Sequence, residues 1–118
     1  MVVEDEWLVR MEIADALSEA GWNVIELATA AAAVDLLAQD LHIDLLITDV
    51  RLPGQLSGWD LAEKYRAART ETVVIYCSGN PPDKARQVPG STFLVKPCRL
   101  DLIFQAVDAA TASDAGKE

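Results

Sequence analysis

Two rhythms of apolar residues alternate along the chain. In the first, short unbroken runs are closed by turn residues: 43–50 reads Ile-Asp-Leu-Leu-Ile-Thr-Asp-Val and is followed at once by Arg-Leu-Pro-Gly-Gln-Leu-Ser-Gly. Runs of this kind suit strands buried on both faces, as in the middle of a parallel sheet. In the second, apolar residues return every three or four positions. Val9, Ile13, Ala16, Leu17 and Ala20 share one face of a helix over 6–20, which Gly21 ends in the C′ position. The pattern predicts strands over 1–3, 23–27, 43–50, 72–77 and 93–95, and helices over 6–20, 30–39, 59–69 and 99–110. Thr29 is a natural N-cap for the second helix, and Ser57-Gly58 leads into the third. The first strand is short for a central one, as a trimmed start would leave it. Between strands four and five the rhythm breaks: 78–82 is a loop and 88–90 a turn, leaving 83–87 with barely one helical turn.

Alternation of this kind argues for parallel strands with helices on both faces, joined by right-handed crossovers. The expected architecture is α/β, a doubly wound five-stranded sheet, with one domain over 1–112 and a polar tail over 113–118. A chain of 118 residues buries a real core without staples and leaves no room for a second module.

Charge narrows the choice of partner. Lys and Arg total 10 against 19 Asp and Glu, a formal charge of −9. Such a surface repels phosphate backbones and anionic lipid, so nucleic acid and membranes are poor partners and cations good ones. No apolar run approaches the ~20 residues of a membrane span. The N-terminus carries acids where a signal peptide needs bases, so a cytoplasmic chain is expected. Cys77 and Cys98 lack metal-ligand spacing, and in a reducing compartment they read as small buried apolar residues rather than a disulfide.

In a doubly wound sheet the residues just past the strands' carboxyl ends gather on one rim. Here they are Glu4 and Asp5, then Asp49, Ser78 and Lys96. Taken singly each has an ordinary explanation: an acid after a strand makes a turn, and acids at a helix start complement its dipole. Together they are harder to dismiss, because clustered carboxylates repel unless something positive binds among them. Mg²⁺ suits such oxygen ligands, and Mn²⁺ could replace it. A carboxylate can attack phosphorus to give an aspartyl-phosphate, with a metal ion and a Lys ammonium neutralising the transferring group.

With these residues in view, the chain resembles the receiver domain of two-component response regulators. The resemblance rests on Glu4-Asp5, on Leu45-Leu46-Ile47-Thr48-Asp49 with Pro53 and Gly58 after it, on Ser78-Gly79 and on Lys96-Pro97. It implies a flavodoxin-like strand order 2-1-3-4-5, an order given for receivers generally. It makes Asp49 the phosphoacceptor, Asp5 a direct Mg²⁺ ligand, Glu4 a ligand mainly through water, and the Arg51 main-chain carbonyl a further ligand. Lys96 would pair with the phosphoryl group, ahead of a cis Pro97, and Ser78 and Phe93 would be the switch residues. The donor would be a histidine kinase, and an unidentified downstream protein would read the result.

Departures from the family pattern carry their own expectations. Lys96 follows Ser78 by 18 positions, about one helical turn or ~4 residues fewer than the family implies. The family's fourth helix is therefore expected to be short or missing. The loop from Asp49 to Gly58 is about one residue longer than usual, as in receivers paired with HWE and related histidine kinases. Arg51 and Asn80 are expected to tune phosphoryl lifetime. Two alternatives are an aspartyl-phosphate phosphatase, whose general acid would belong where Arg51 stands, and a receiver-like module that never takes phosphate. Trp7, Trp22 and Trp59 either pack on the core or mark a partner surface.

Overall fold

The computed structural model describes residues 1–115. Five parallel strands form one sheet in the order β2-β1-β3-β4-β5, with elements β1 (Val2–Val3), α1 (Trp7–Glu19), β2 (Glu26–Leu27), α2 (Ala30–Leu37), β3 (Leu45–Thr48), α3 (Gly58–Ala68), β4 (Val73–Ser78), β5 (Thr92–Val95) and α4 (Leu100–Ala115). This is the expected doubly wound architecture.

The continuous apolar runs contain a hidden period of two. Leu46, Val74 and Tyr76 face one way, onto Ala30, Ala33, Leu61 and Tyr65 of α2 and α3. Leu45, Ile47, Ile75 and Cys77 face the other way, onto Ile13 and Leu17 of α1 and Ile103 and Val107 of α4. Both faces are covered, so the inner strands need apolar residues at every position.

Capping fixes where the helices begin. The Thr29 hydroxyl accepts a hydrogen bond from Ala32 N–H at 3.2 Å, as the sequence suggests. Ser57 and Asp60 form a reciprocal capping box, each side chain accepting from the other's main-chain N–H. Gly21 follows α1 at φ 100°, a conformation that glycine takes without a Cβ penalty.

Several boundaries differ from the sequence reading, for physical reasons. β2 shrinks to its last two residues because it is an edge strand paired only with the short β1. β3 stops at Thr48, since past it the Asp49 carboxylate binds main-chain N–H groups and Val50 O accepts from Gly58 N–H at 2.7 Å. α4 continues to Ala115, so the helix runs through part of the expected tail. The rest of that tail, 116–118, lies outside the described residues.

Between β4 and β5 the described residues contain no helix. A single turn, in which Asp83 O accepts from Arg86 N–H at 3.1 Å and Gln87 N–H at 3.0 Å, is all that remains. The segment is nevertheless pinned. Arg86 reaches Asp60 at 2.9 Å and Glu63 at 3.2 Å on α3, Arg66 donates to Pro89 O, and Val88 N–H donates to the buried Tyr76 hydroxyl at 3.2 Å.

One expectation is overturned. Cys77 and Cys98 are not separate thiols but a disulfide, with Cα atoms 6.1 Å apart. They stand 21 residues apart in sequence. The β4–β5 register sets Cys77 beside Leu94, and the Lys96-Pro97 turn, whose peptide is cis, carries Cys98 back towards β4. That proximity depends on strand register, which Cys spacing does not reveal.

Candidate functional site

The carboxyl ends of β1, β3 and β5 bring an acidic cluster and one ammonium together. Glu4, Asp5 and Asp49 each offer a carboxylate oxygen, all within 4.8 Å of one another. Lys96 Nζ lies 2.5 Å from Glu4 Oε1, 2.8 Å from Asp49 Oδ2 and 3.6 Å from Glu6 Oε1. Glu4 and Asp49 are buried and Asp5 is exposed, so the cluster opens to solvent on the Asp5 side.

Local sequence sets each position. Thr48 Oγ1 donates to Asp49 O at 2.8 Å. Asp49 Oδ1 accepts from Val50 N–H at 2.7 Å and from Arg51 N–H at 3.4 Å. One oxygen of Asp49 therefore does the turn chemistry expected of any Asp after a strand, while the other faces Lys96. Glu4 is steadied by Glu6 N–H on Oε2 at 3.3 Å, and Arg10 holds the β1–α1 turn by donating to Glu4 O at 2.6 Å. Lys96 N–H donates to Ser78 O at 2.8 Å, so the β4–β5 ladder fixes where the lysine starts.

The remaining expected residues fall in three places. Ser78 is buried at the end of β4, its Oγ accepting from Asn80 N–H at 3.1 Å. Arg51 and Asn80 line one small cavity together with Ser57. Phe93 is half-buried, stacked on Trp59 at 5.9 Å and tilted against Tyr76 at 6.1 Å. Of the tryptophans, Trp59 is core on the α2 and α3 face, Trp22 is half-buried against the opposite face, which α1 and α4 cover, and Trp7 is 60% exposed. The roles of Glu6, Arg10 and Asp60 as supports were missed. Only Asp60 had a legible signal, because Ser-Gly-Trp-Asp has the spacing of a capping box.

The electrostatics follow from burial. Desolvation pushes the Glu4 carboxyl up to about 7, against the Lys96 ammonium, which pulls it down, while Asp5 and Asp49 push it further up. Burial would lower the Lys96 ammonium, but Asp49 and Glu4 outweigh it and hold it above the ordinary lysine value. The ammonium thus neutralises in part the charge that three adjacent carboxylates create.

The set of donors fits a hard divalent cation: three carboxylates with oxygen atoms converging, one face open to water. A cation must compete with the proton on Glu4. Between pH 4.5 and about 7 the folded chain holds that proton more tightly than the unfolded chain, so this group's contribution to stability falls as pH rises through that window. Metal affinity moves oppositely, because the carboxylate is the ligand form. Calorimetric titration with Mg²⁺ is expected to give about tenfold weaker binding at pH 6 than at pH 8, with proton release. Equal affinity and no proton release would remove Glu4 from the site.

A parallel 2-1-3-4-5 sheet with acids and a lysine meeting at its carboxyl rim defines a phosphoacceptor receiver of two-component signalling. The family model for the response regulator receiver domain matches residues 1–108, and the chain belongs to that family. The transcriptional regulatory protein PdtaR of Mycobacterium tuberculosis (strain H37Rv) is 31% identical over 117 residues, 95% of this chain and 56% of PdtaR. The chain thus spans about half the length of that relative. A response regulator receiver protein from Sinorhizobium medicae superposes with a TM-score of 0.87 at 26% identity, over 92% of this chain and 90% of that one. The receiver domain of the hybrid histidine kinase CckA does so with 0.78 at 33% identity, over 92% and 94%. Among the described residues no helix is long and apolar enough to cross a membrane.

Proposed function

We propose that this chain, as one receiver domain over 1–112, takes a phosphoryl group onto Asp49 from the phosphohistidine of a histidine kinase in the cytoplasm. The observation that carries the reading is the shared position of Lys96 Nζ between Asp49 and Glu4. An oxygen of Asp49 forms the new bond to phosphorus as the phosphorus–nitrogen bond breaks and the imidazole leaves with the electron pair. Lys96 pairs with the oxygens of the transferring group. Its charge is already positioned, so little reorganisation is needed at the moment of transfer. Mg²⁺ or Mn²⁺, held by Asp5, Asp49, Glu4 through water and the Arg51 main-chain carbonyl, supplies further charge neutralisation when bound.

Ser78 then gives up its bond to Asn80 N–H and turns to a phosphoryl oxygen, and the segment 79–90 follows. Phe93 responds within its stack on Trp59 and Tyr76, and a downstream protein reads that face. Arg51 and Asn80, which line one cavity with Val50, the residue after the acceptor, set how readily water reaches the phosphoryl group. The only chemistry assigned is formation and loss of the chain's own acyl phosphate, with no turnover of a separate substrate.

The test compares wild type and Lys96→Met in acetyl phosphate with Mg²⁺, followed by mass measurement over time. Wild type is expected to gain one phosphoryl group, labile to hydroxylamine. The variant is expected to gain it about 10² to 10³-fold more slowly, as when one preorganised donor to a developing charge is removed. Equal rates would exclude Lys96 from the transfer, and no gain in wild type would end the reading.

A further inference from the structure

The disulfide encloses the two residues proposed to touch the phosphoryl group. Cys77 immediately precedes Ser78 at the end of β4, and Cys98 follows Lys96 by two positions. The covalent loop between them contains the β4–β5 segment, β5 and the Lys96-Pro97 turn. Inside this loop Lys96 N–H is already tied to Ser78 O. The bond is thus a second tie between the strand end that bears Ser78 and the turn that bears Lys96.

The two sulfurs differ in access. Cys77 is 3% exposed, locked between the sheet and the α1 and α4 helices. Cys98 is half-buried and lines the open groove between α1 and the start of α4, together with Glu6, Val9, Lys96 and Pro97.

We infer that Cys77–Cys98 is a reversible redox modification site whose state sets how fast Asp49 is phosphorylated; the second half of this rests on the phosphoacceptor reading above. A small dithiol reductant enters from the groove, and its thiolate attacks the Cys98 sulfur. The sulfur–sulfur bond breaks and Cys77 leaves as a thiolate. The second thiol of the reductant then attacks its own bound sulfur, releasing Cys98, so two electrons and two protons pass from the dithiol to the protein as the dithiol becomes a cyclic disulfide. In the oxidised chain Lys96 is held by covalent and hydrogen-bonded ties at once. In the reduced chain the β4–β5 ladder and the Lys96 pairs with Glu4 and Asp49 remain, but the turn that bears Lys96 loses its covalent tie to β4 and the lysine is held less closely in place beside Asp49.

The full chain is prepared oxidised, then treated with graded dithiothreitol. Free thiols are counted by alkylation and mass, and phosphoryl uptake from acetyl phosphate with Mg²⁺ is followed in parallel. Expected are no free thiols before treatment, two after it, and uptake slower in the reduced form by on the order of tenfold. Cys98→Ser, or Cys77→Ala should the first fail to fold, is expected to show the slow rate with and without dithiothreitol. Two free thiols at the outset, or equal uptake in both forms, would overturn the proposal. Should neither form take up phosphate, the phosphoacceptor reading fails by itself, and amide exchange over 79–95 decides the redox site. Faster exchange on reduction would uphold the covalent hold, and unchanged exchange would overturn it.

Discussion

Asp49→Asn is expected to take up no phosphoryl group from acetyl phosphate and Mg²⁺, while folding as wild type does. The loss is complete because an amide is not a nucleophile toward phosphorus, and no other carboxylate stands in the same relation to Lys96 and the β3 terminus. The fold survives because Asn keeps an oxygen where Oδ1 accepts from Val50 and Arg51 N–H. What changes is the second atom, which exchanges an acceptor for a donor opposite the Lys96 ammonium 2.8 Å away. Lys96 then pairs with Glu4 alone, and because the Asp49 charge no longer pushes the Glu4 proton affinity up, that carboxyl ionises more readily. Removing one of three carboxylates also weakens Mg²⁺ binding. Intact-protein mass measurement beside the wild type checks the first expectation, and calorimetry with Mg²⁺ the second. Phosphoryl uptake by the variant at the wild-type rate would move the acceptor to another residue, with Asp5 the first to examine.

The rim was legible because one rule governs it. In a parallel sheet every strand points the same way, so residues that close the strands meet whatever happens between them. Glu4, Asp5, Asp49 and Lys96 could be gathered on that ground alone, and the distances among them bear it out. The shortened link between Ser78 and Lys96 was equally readable, as a simple deficit of residues for a helix. Other features depend on partners that sequence order does not name. β2 loses its early residues because β1 is too short to pair with them. Cys77 and Cys98 meet through register and a turn. Arg86 becomes an anchor only because α3 presents Asp60 and Glu63 to it. Local signals thus placed the acids and the lysine on one rim, while the contacts that brace them came from packing.

Gly58→Ala is expected to destabilise the protein by about 3 kcal/mol and to lower its melting temperature by roughly 10 °C. The sign is opposite to what helix propensity suggests, since exchanging glycine for alanine in a helix ordinarily gains about 0.5–1 kcal/mol. Here a Cβ at position 58 would sit 1.9 Å from Asp49 O, 2.8 Å from Asp49 C and 2.9 Å from Val50 Cα. All three are main-chain atoms, so no side chain can swing aside. Gly58 N–H is moreover bonded to Val50 O at 2.7 Å, which clamps the start of α3 against the same peptide. Relief requires either that α3 lift away, breaking this bond and straining the Ser57–Asp60 cap, or that Asp49 shift from its place beside Lys96. Stability and phosphoryl uptake are therefore expected to fall together, whereas Asp49→Asn separates them. Gly79→Ala provides the control: nothing lies within 4 Å of its Cβ and its φ lies outside the left-handed range, so its melting temperature should stay close to wild type. Thermal unfolding of both variants decides the matter, and a Gly58→Ala transition within two or three degrees of wild type would mean that the α3 start yields far more readily than this main-chain contact implies.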